Sequence, residues 1–215
     1  MKSLIFDVDG TLWDSTGMVA DAWNTGLMVF PMIKRKLNKE DLKKQFGLPM
    51  VEIFRNLFPE IAKERSEEEA AELYEEIANV LYESQEEAMK VEGGILYPGI
   101  EKTIKKLAER YRLYIVSNCQ CGYIESFLEK TELSEYFDGH LCFGDTGLSK
   151  GQTIRRLMDN EHIEDAVYIG DIEPDAYASK EAGIPFIWAA YGFGEVKDGL
   201  YENKINNPEE LLKLF

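Results

Sequence analysis

Short apolar runs alternate with helical patterns along the second half of the chain, and this alternation limits the possible folds more than any other feature. Each run after Pro98 and Gly99 follows a segment with helical spacing of its apolar residues, and one further run opens the chain. Strands that alternate with helices form βαβ units with right-handed crossovers. The sequence therefore predicts an α/β fold with a mainly parallel sheet. The predicted strands are residues 4–6, 113–116, 140–143, 166–169 and 185–188.

Between the first predicted strand and the others, the chain shows only helical patterns. Ser66 and Glu69 have the spacing of a capping box, which typically begins a helix, and a long helix is predicted to follow them. Shorter helical stretches precede it. We therefore predict two domains: a core of residues 1–14 and 96–215, and an inserted helical domain of residues 15–95.

The charge of the chain limits its partners. Its 215 residues include 40 acidic and 24 basic side chains, which gives a formal net charge of -16. Such a surface repels phosphate backbones and anionic lipid headgroups, so neither nucleic acid nor a membrane is expected as a partner. No stretch approaches the roughly 18 apolar residues of a membrane span, and the start lacks the apolar region of a signal peptide. We predict a cytoplasmic protein that is a monomer or a homodimer.

The chain has three cysteines, Cys119, Cys121 and Cys142. An odd and sparse count in a reducing compartment argues against structural disulfides, and the C-x-C spacing differs from the C-x-x-C of redox motifs. We interpret the cysteines as small buried residues rather than as metal ligands or redox groups.

Polar residues follow three of the predicted strands, at the point where each strand ends. Because the carboxyl ends of parallel strands meet at one edge of a sheet, we expect these side chains to lie close together. A lysine that begins the helix before the third of these strands is expected to join them. The residues are Asp7 and Asp9, then Ser117 and Asn118, then Asp171 and Asp175, with Lys150 as the lysine.

The residue types at this edge suit phosphoryl transfer. Four carboxylates close together repel one another, and a hard cation such as Mg²⁺ would relieve that repulsion. One carboxylate can act as the nucleophile that forms an aspartyl-phosphate, and a second can give and take the proton. Lys150 and the hydroxyls of Thr11 and Ser117 could stabilise the transferring group. Gly10 would let backbone N–H groups approach it as well.

The order of these residues is similar to that of the four motifs of the haloacid dehalogenase superfamily. The chain resembles the phosphoglycolate phosphatase-like and β-phosphoglucomutase-like branch, which carries an early helical cap. The resemblance covers residues 3–190 and implies a Rossmann-like three-layer core with a small all-helical cap inserted after the first strand. The matching motifs are Asp7-Val8-Asp9-Gly10-Thr11-Leu12, Val116-Ser117-Asn118, Leu148-Ser149-Lys150-Gly151 and Gly170-Asp171-Ile172-Glu173-Pro174-Asp175.

The resemblance also implies a role for each residue. Asp7 would be the nucleophile, and Asp9 the general acid and then the general base. A Mg²⁺ ion would be bound by Asp7, Asp171 and the backbone carbonyl of Asp9, with Asp175 as a further ligand or as a group that orients its waters. Lys150 would also be catalytic, through its ion pair with Asp7. The residues implied in phosphate binding are Thr11, Ser117, Asn118 and Lys150.

These observations favour a Mg²⁺-dependent phosphatase that acts on a small phosphorylated metabolite. A sugar phosphomutase with the same chemistry is the alternative, although residues 14–19 lack the histidine that mutase-like relatives often carry there. In a different class, a phospho-acceptor module such as a receiver domain also combines acidic residues with a lysine. Receivers place the acceptor on a middle strand and lack a helical insert. A non-catalytic binding protein is disfavoured because unpaired buried carboxylates are costly.

The inserted helical domain is expected to act as a cap that excludes water and contacts the substrate. The segment predicted to contact the substrate is Phe46-Gly47-Leu48-Pro49. Lys43, Lys44 and Arg55 lie near it in sequence, and we interpret them as solvated side chains.

Overall fold

A computed structural model describes residues 2–48 and 50–215. The chain divides into two compact units. The first, which we call the core unit, consists of Met1–Asp14 and Ile95–Phe215, and the second, the helical unit, is Ser15–Gly94. The predicted second junction lay one residue further along the chain. Pro49, the last residue of the predicted substrate segment, lies outside the described residues.

The core unit is built on a six-stranded sheet in which every pair of neighbouring strands is parallel. The strands of the chain are β1 (Ser3–Phe6), β2 (Trp13–Asp14), β3 (Ile95–Leu96), β4 (Arg112–Ser117), β5 (Gly139–Cys142), β6 (Ala166–Gly170), β7 (Phe186–Ala189) and β8 (Asn203–Ile205). The strand order in the sheet is β5-β4-β1-β6-β7-β8, so the first strand of the chain lies in the middle of the sheet. The predicted parallel α/β fold is thereby confirmed.

Two features of the strands were not predicted. β2 and β3 form a two-residue antiparallel pair next to the junctions with the helical unit. β8 extends the sheet beyond β7, yet Asn203 and Lys204 are exposed and only Ile205 is buried. An edge strand with one buried side chain has no apolar run, so no hydrophobic pattern in the sequence indicates β8.

The register of β1 explains where the polar residues meet. Phe6 pairs with Ile115 of β4 on one side and with Ile169 of β6 on the other. The residues that follow these three strands therefore lie at the same edge of the sheet. All four residues of β1 are buried, which fits a central parallel strand covered on both faces.

Helices of the core unit connect the strands, and two of them begin at or next to residues that the sequence analysis singled out. Ser149 caps the helix that starts with Lys150, and its Oγ accepts a hydrogen bond from the N–H of Gln152 at 3.2 Å. Pro174 lies in the first turn of the next helix, where its missing N–H costs nothing. The helices of both units are α1 (Thr16–Gly26), α2 (Lys39–Lys43), α3 (Met50–Leu57), α4 (Glu67–Val91), α5 (Ile100–Ala108), α6 (Tyr123–Thr131), α7 (Phe143–Thr146), α8 (Lys150–Asn160), α9 (Glu173–Ala182) and α10 (Leu211–Leu214).

The helical unit has its own hydrophobic core between α1 and α4. Trp23 is 1% exposed, and its Nε1 donates a hydrogen bond to Oε1 of Gln85 at 3.1 Å. The predicted capping box of α4 is present, because the N–H of Ser66 donates to Glu69 at 2.9 Å while Ser66 Oγ accepts from the N–H of Glu69 at 3.2 Å. Within the described residues, every helix is too short or too polar to span a bilayer.

Candidate active site

Three carboxylates and one lysine meet at the carboxyl edge of the core sheet. Asp7 follows β1, Asp171 follows β6, and Asp175 lies in the first turn of α9. One carboxylate oxygen from each lies within 4.8 Å of the others. Nζ of Lys150, at the start of α8, is 2.7 Å from Oδ1 of Asp175 and 3.2 Å from Oδ2 of Asp7. The sheet therefore brings together four of the residues that the sequence singled out.

Asp7 is a buried carboxylate whose two oxygens have different surroundings. It is 2% exposed, and its Oδ2 faces Lys150. Its Oδ1 has no hydrogen-bond partner among the described residues. Burial raises the pKa of Asp7 to about 7; Lys150 opposes this shift, and the charges of Asp175 and Asp9 add to it. A buried oxygen without a donor is expensive, so this atom points to a ligand that supplies positive charge.

Lys150 is the cation that pairs with this group. It is 6% exposed. Burial lowers its pKa, but the charges of Asp175 and Asp7 outweigh burial and raise the pKa above the usual range of lysine. The side chain therefore stays protonated and fixes the orientation of both carboxylates.

Asp175 holds the turn between β6 and α9. Its Oδ2 accepts the N–H groups of Asp171, at 3.0 Å, and Ile172, at 3.2 Å, while Oδ1 accepts from Lys150. Because β6 ends at Gly170 and α9 begins at Glu173, Asp171 lies between the strand and the helix, and Asp175 reaches back to it. Asp175 thus orients both Lys150 and Asp171.

Asp171 is enclosed by donors from distant parts of the core unit. Its Oδ2 accepts the N–H of Phe193 at 2.7 Å, and its Oδ1 accepts the hydroxyl of Thr11 at 3.4 Å. Burial raises the pKa of Asp171 well above its usual value, and the charges of Asp175 and Asp7 add to the rise. Because its pKa is raised so far, Asp171 needs further positive charge nearby to remain ionised.

Two glycines allow the backbone to approach Asp171 closely. Gly10 has a φ of +84°, and a Cβ placed on it would lie 2.1 Å from Oδ2 of Asp171. A Cβ on Gly192 would lie 2.3 Å from Cβ of Asp171. Both contacts are far shorter than van der Waals distance, so only glycine fits at these two positions.

Replacement of Gly10 by Ala is expected to lower the free energy of unfolding by roughly 3 kcal/mol, because strain at positive φ adds to the clash with Asp171. Gly199 is a matched control, since its φ is +86° and nothing lies within 4 Å of its Cβ position. Gly199→Ala should cost only about 1 kcal/mol. Urea denaturation of both variants measures the difference. Equal losses of the free energy of unfolding would contradict the close approach of Gly10 to Asp171.

Asp9 has a different environment from the three clustered carboxylates. Its Oδ1 accepts hydrogen bonds from the hydroxyl of Tyr123 at 2.7 Å and from Nε1 of Trp13 at 3.0 Å. Its carboxylate does not belong to the group of three oxygens within 4.8 Å of one another. Neither donor was identified from the sequence, and Tyr123 lies 114 residues from Asp9.

The residues predicted to bind phosphate lie at the same edge. Thr11 is buried, and its hydroxyl contacts Asp171. Ser117 is 6% exposed at the end of β4, the strand next to β1, and Asn118 follows it as a half-buried residue. The hydroxyl of Thr11 thus donates to Asp171, while Ser117 and Asn118 lie at the end of the strand next to β1.

The residues present fit a hard divalent cation. The donors are carboxylate oxygens, which Mg²⁺ prefers, and one of them, Oδ1 of Asp7, has no partner among the residues described. Lys150 brings one positive charge to the three carboxylates of the cluster, so the group has excess negative charge even if one carboxyl is protonated. Asp7, Asp171 and Asp175 are the carboxylates that could hold such an ion.

The chain was compared with known proteins. A family model described as haloacid dehalogenase-like hydrolase matches residues 4–189. The chain belongs to this family. A curated phosphoglycolate phosphatase from Aquifex aeolicus is 26% identical over all of this chain and 97% of its own length. Another, from Pseudomonas savastanoi, is 26% identical over all of this chain and 78% of its own.

Solved structures of this family have the same fold. A haloacid dehalogenase-like family hydrolase from Streptococcus pneumoniae superposes with a TM-score of 0.81 at 23% identity, over 99% of this chain and 97% of its own. A protein named as a predicted phosphatase, from Clostridium acetobutylicum, gives 0.79 at 25% identity over the same shares of the two chains. The predicted family and the predicted enzyme class, a phosphatase-type hydrolase, are confirmed.

Proposed function

We propose that the protein is a Mg²⁺-dependent phosphomonoester hydrolase that acts on a small phosphorylated metabolite through an aspartyl-phosphate at Asp7. The observation that carries the proposal is the state of Asp7: one oxygen is paired with Lys150, and the other is buried with no hydrogen-bond partner among the described residues. A nucleophilic carboxylate has to be held in place, and the ion pair with Lys150 does this.

The first half of the reaction transfers the phosphoryl group. A carboxylate oxygen of Asp7 attacks the phosphorus, the bond from phosphorus to the ester oxygen breaks, and Asp9 donates a proton to the leaving oxygen. In the second half, Asp9 takes a proton from water, which attacks the phosphorus and releases phosphate and the free carboxylate of Asp7. Tyr123 and Trp13 orient Asp9 for both steps, because they donate to its Oδ1 at 2.7 and 3.0 Å.

Positive charge stabilises the transferring group. Lys150 supplies one charge, and Ser117 and Asn118 supply hydrogen bonds. We propose that Asp7, Asp171 and the backbone carbonyl of Asp9 would hold the Mg²⁺, with Asp175 beside them. The ion, when bound, neutralises charge on the phosphoryl oxygens and relieves the repulsion among the carboxylates.

We further propose that residues 15–95 act as a cap domain that supplies substrate contacts, with Phe46, Gly47 and Leu48 as the described part of the contact segment. The curated relatives are named phosphoglycolate phosphatases, so 2-phosphoglycolate is the first substrate to test. The phosphate dianion of such a small substrate matches a site with one lysine and one cation.

Chelation of the metal is expected to stop the reaction. With p-nitrophenyl phosphate or 2-phosphoglycolate, excess EDTA should lower phosphate release by about twentyfold or more, and added Mg²⁺ should restore it. Turnover that persists in excess EDTA would contradict the metal assignment. The same assay with a sugar phosphate separates hydrolysis from the mutase alternative, because a mutase would form an isomer without stoichiometric phosphate.

The substitution Tyr123→Phe is expected to lower kcat by about tenfold, because the general acid loses one of two donors to its Oδ1 while Trp13 remains. KM should change little, since Tyr123 acts through Asp9. The matched control is Tyr201→Phe, which removes an equivalent bond of 2.8 Å to Asp198 in an exposed part of the core unit. A kcat within about twofold of wild type would contradict this role of Tyr123.

A further inference from the structure

A second cluster of metal-ligating side chains lies outside the carboxylate cluster. It consists of Cys121, Cys142 and Asp145, and one ligand atom from each lies within 4.8 Å of the others. The sequence suggested that all three cysteines are small buried residues. Cys142 is buried, but Cys121 is exposed, so this interpretation is wrong for Cys121.

The fold holds this cluster together through its backbone. The loop after β4 and the short helix α7 after β5 touch where the N–H of Gly144 donates to the carbonyl of Cys119 at 3.1 Å. A Cβ at Gly144 would lie 2.3 Å from the backbone nitrogen of Cys121, so glycine is needed for this contact. Cys121 and Cys142 thus come from neighbouring strand ends, not from a single flexible loop.

Asp145 links the two cysteines. Its Oδ2 accepts the N–H of Cys142 at 2.8 Å, and its Oδ1 accepts the thiol of Cys121 at 3.4 Å. His140 lies two residues before Cys142 on β5, on the same face of that strand. Its Nδ1 is buried without a hydrogen-bond partner among the described residues, which places one more nitrogen donor on this side of the sheet.

We propose that Cys121, Cys142 and Asp145 form a site for a thiophilic divalent cation of the Zn²⁺ type. Two thiolates and one carboxylate are three of the four ligands that such an ion takes, and zinc–sulfur bonds of about 2.3 Å need ligand atoms that are near neighbours. Binding releases the two thiol protons as the two metal–sulfur bonds form. The exposed side chains of Cys121 and Asp145 give the ion a route in, and the fourth position stays open to water.

The site is chemically distinct from the oxygen cluster at Asp7, Asp171 and Asp175. Thiolates favour zinc-like ions, whereas an all-oxygen donor set favours Mg²⁺. The proposal therefore does not rest on the proposed phosphatase reaction. Cys121 lies two residues before Tyr123, so an ion at this site would tie the segment that carries Tyr123 to the end of β5.

Cadmium is a suitable probe, because only cysteine ligation gives a thiolate-to-cadmium charge-transfer absorption. Reduced full-length protein is titrated with Cd²⁺ in the presence of excess Mg²⁺, which occupies the oxygen cluster. The proposal predicts one equivalent of Cd²⁺ bound with this absorption. Cys121→Ser and Cys142→Ser should each weaken binding by about tenfold or more, and Asp145→Asn by a similar factor.

Two further variants control the assignment. Cys119→Ser should keep the stoichiometric absorption, as should Asp171→Asn, which alters only the oxygen cluster. Far-ultraviolet circular dichroism of each variant verifies that it is folded. An absence of saturable absorption in the wild type would overturn the proposal, as would equal binding by Cys121→Ser or a loss of binding in Cys119→Ser.

Discussion

The substitution Asp7→Asn is expected to lower phosphate release by about a thousandfold or more, which corresponds to roughly 4 kcal/mol of activation free energy. An amide oxygen is a poor nucleophile, so no aspartyl-phosphate forms. The fold should survive, because Asp7 is a desolvated carboxylate that Asp175 and Asp9 repel, and the amide removes this charge. Release of p-nitrophenol and of phosphate measures the loss, and thermal unfolding verifies the fold.

Asp165→Asn provides a control for this measurement. Asp165 is an exposed carboxylate next to the amino end of β1, at the opposite edge of the same sheet. This variant should retain wild-type kcat. If Asp7→Asn kept more than about a tenth of wild-type kcat, a loss of less than ~1.4 kcal/mol, Asp7 would not be the nucleophile.

Replacement of Lys150, the buried cation, should lower the free energy of unfolding more than the other substitutions do. Lys150→Met leaves Asp7 and Asp175 buried without their shared partner, and a broken buried ion pair typically costs about 3–5 kcal/mol. The free energy of unfolding from urea titration measures this loss. Phosphate release should fall as well, because the transferring group loses a positive charge.

Lys102→Met tests whether burial rather than distance determines this cost. Nζ of Lys102 lies 2.7 Å from Glu209, the same distance as between Lys150 and Asp175, but that pair is solvent-exposed. Its loss should cost less than about 1 kcal/mol. The double variant Lys150→Met with Asp175→Asn should recover part of the lost stability, because one uncompensated charge disappears. A cost below about 1 kcal/mol for Lys150→Met would contradict the account.

The sequence predicted those features that depend on local pattern. The apolar run Leu4 to Phe6 identified the central strand, since a strand buried on both faces must be apolar throughout. The position of Asp7 at its end, and of Asp171 after β6, followed from the rule that parallel strands end at one edge. The capping box at Ser66 likewise follows from spacing alone.

Features that depend on contacts between distant segments could not be predicted in this way. The N–H of Phe193 reaches Asp171 across 22 residues, and Gly192 is required beside it only because another segment passes there. Tyr123 acquires its role from a contact with Asp9 that no spacing rule encodes. The sequence predicted that Asp175 lies at this edge of the sheet. Its hydrogen bonds to the turn could not be predicted, because they depend on where α9 begins.

A covalent phosphoryl group at Asp7 is the central step of the proposed reaction. Asp9→Asn should accumulate it with p-nitrophenyl phosphate, because this leaving group needs no acid while the second half of the reaction lacks its base. The measurement is an acid quench during turnover, followed by peptide mass spectrometry. We predict one added phosphoryl group on the peptide that contains Asp7, lost on treatment with hydroxylamine. A phosphoryl group on another residue, or none while p-nitrophenol is released, would contradict the account.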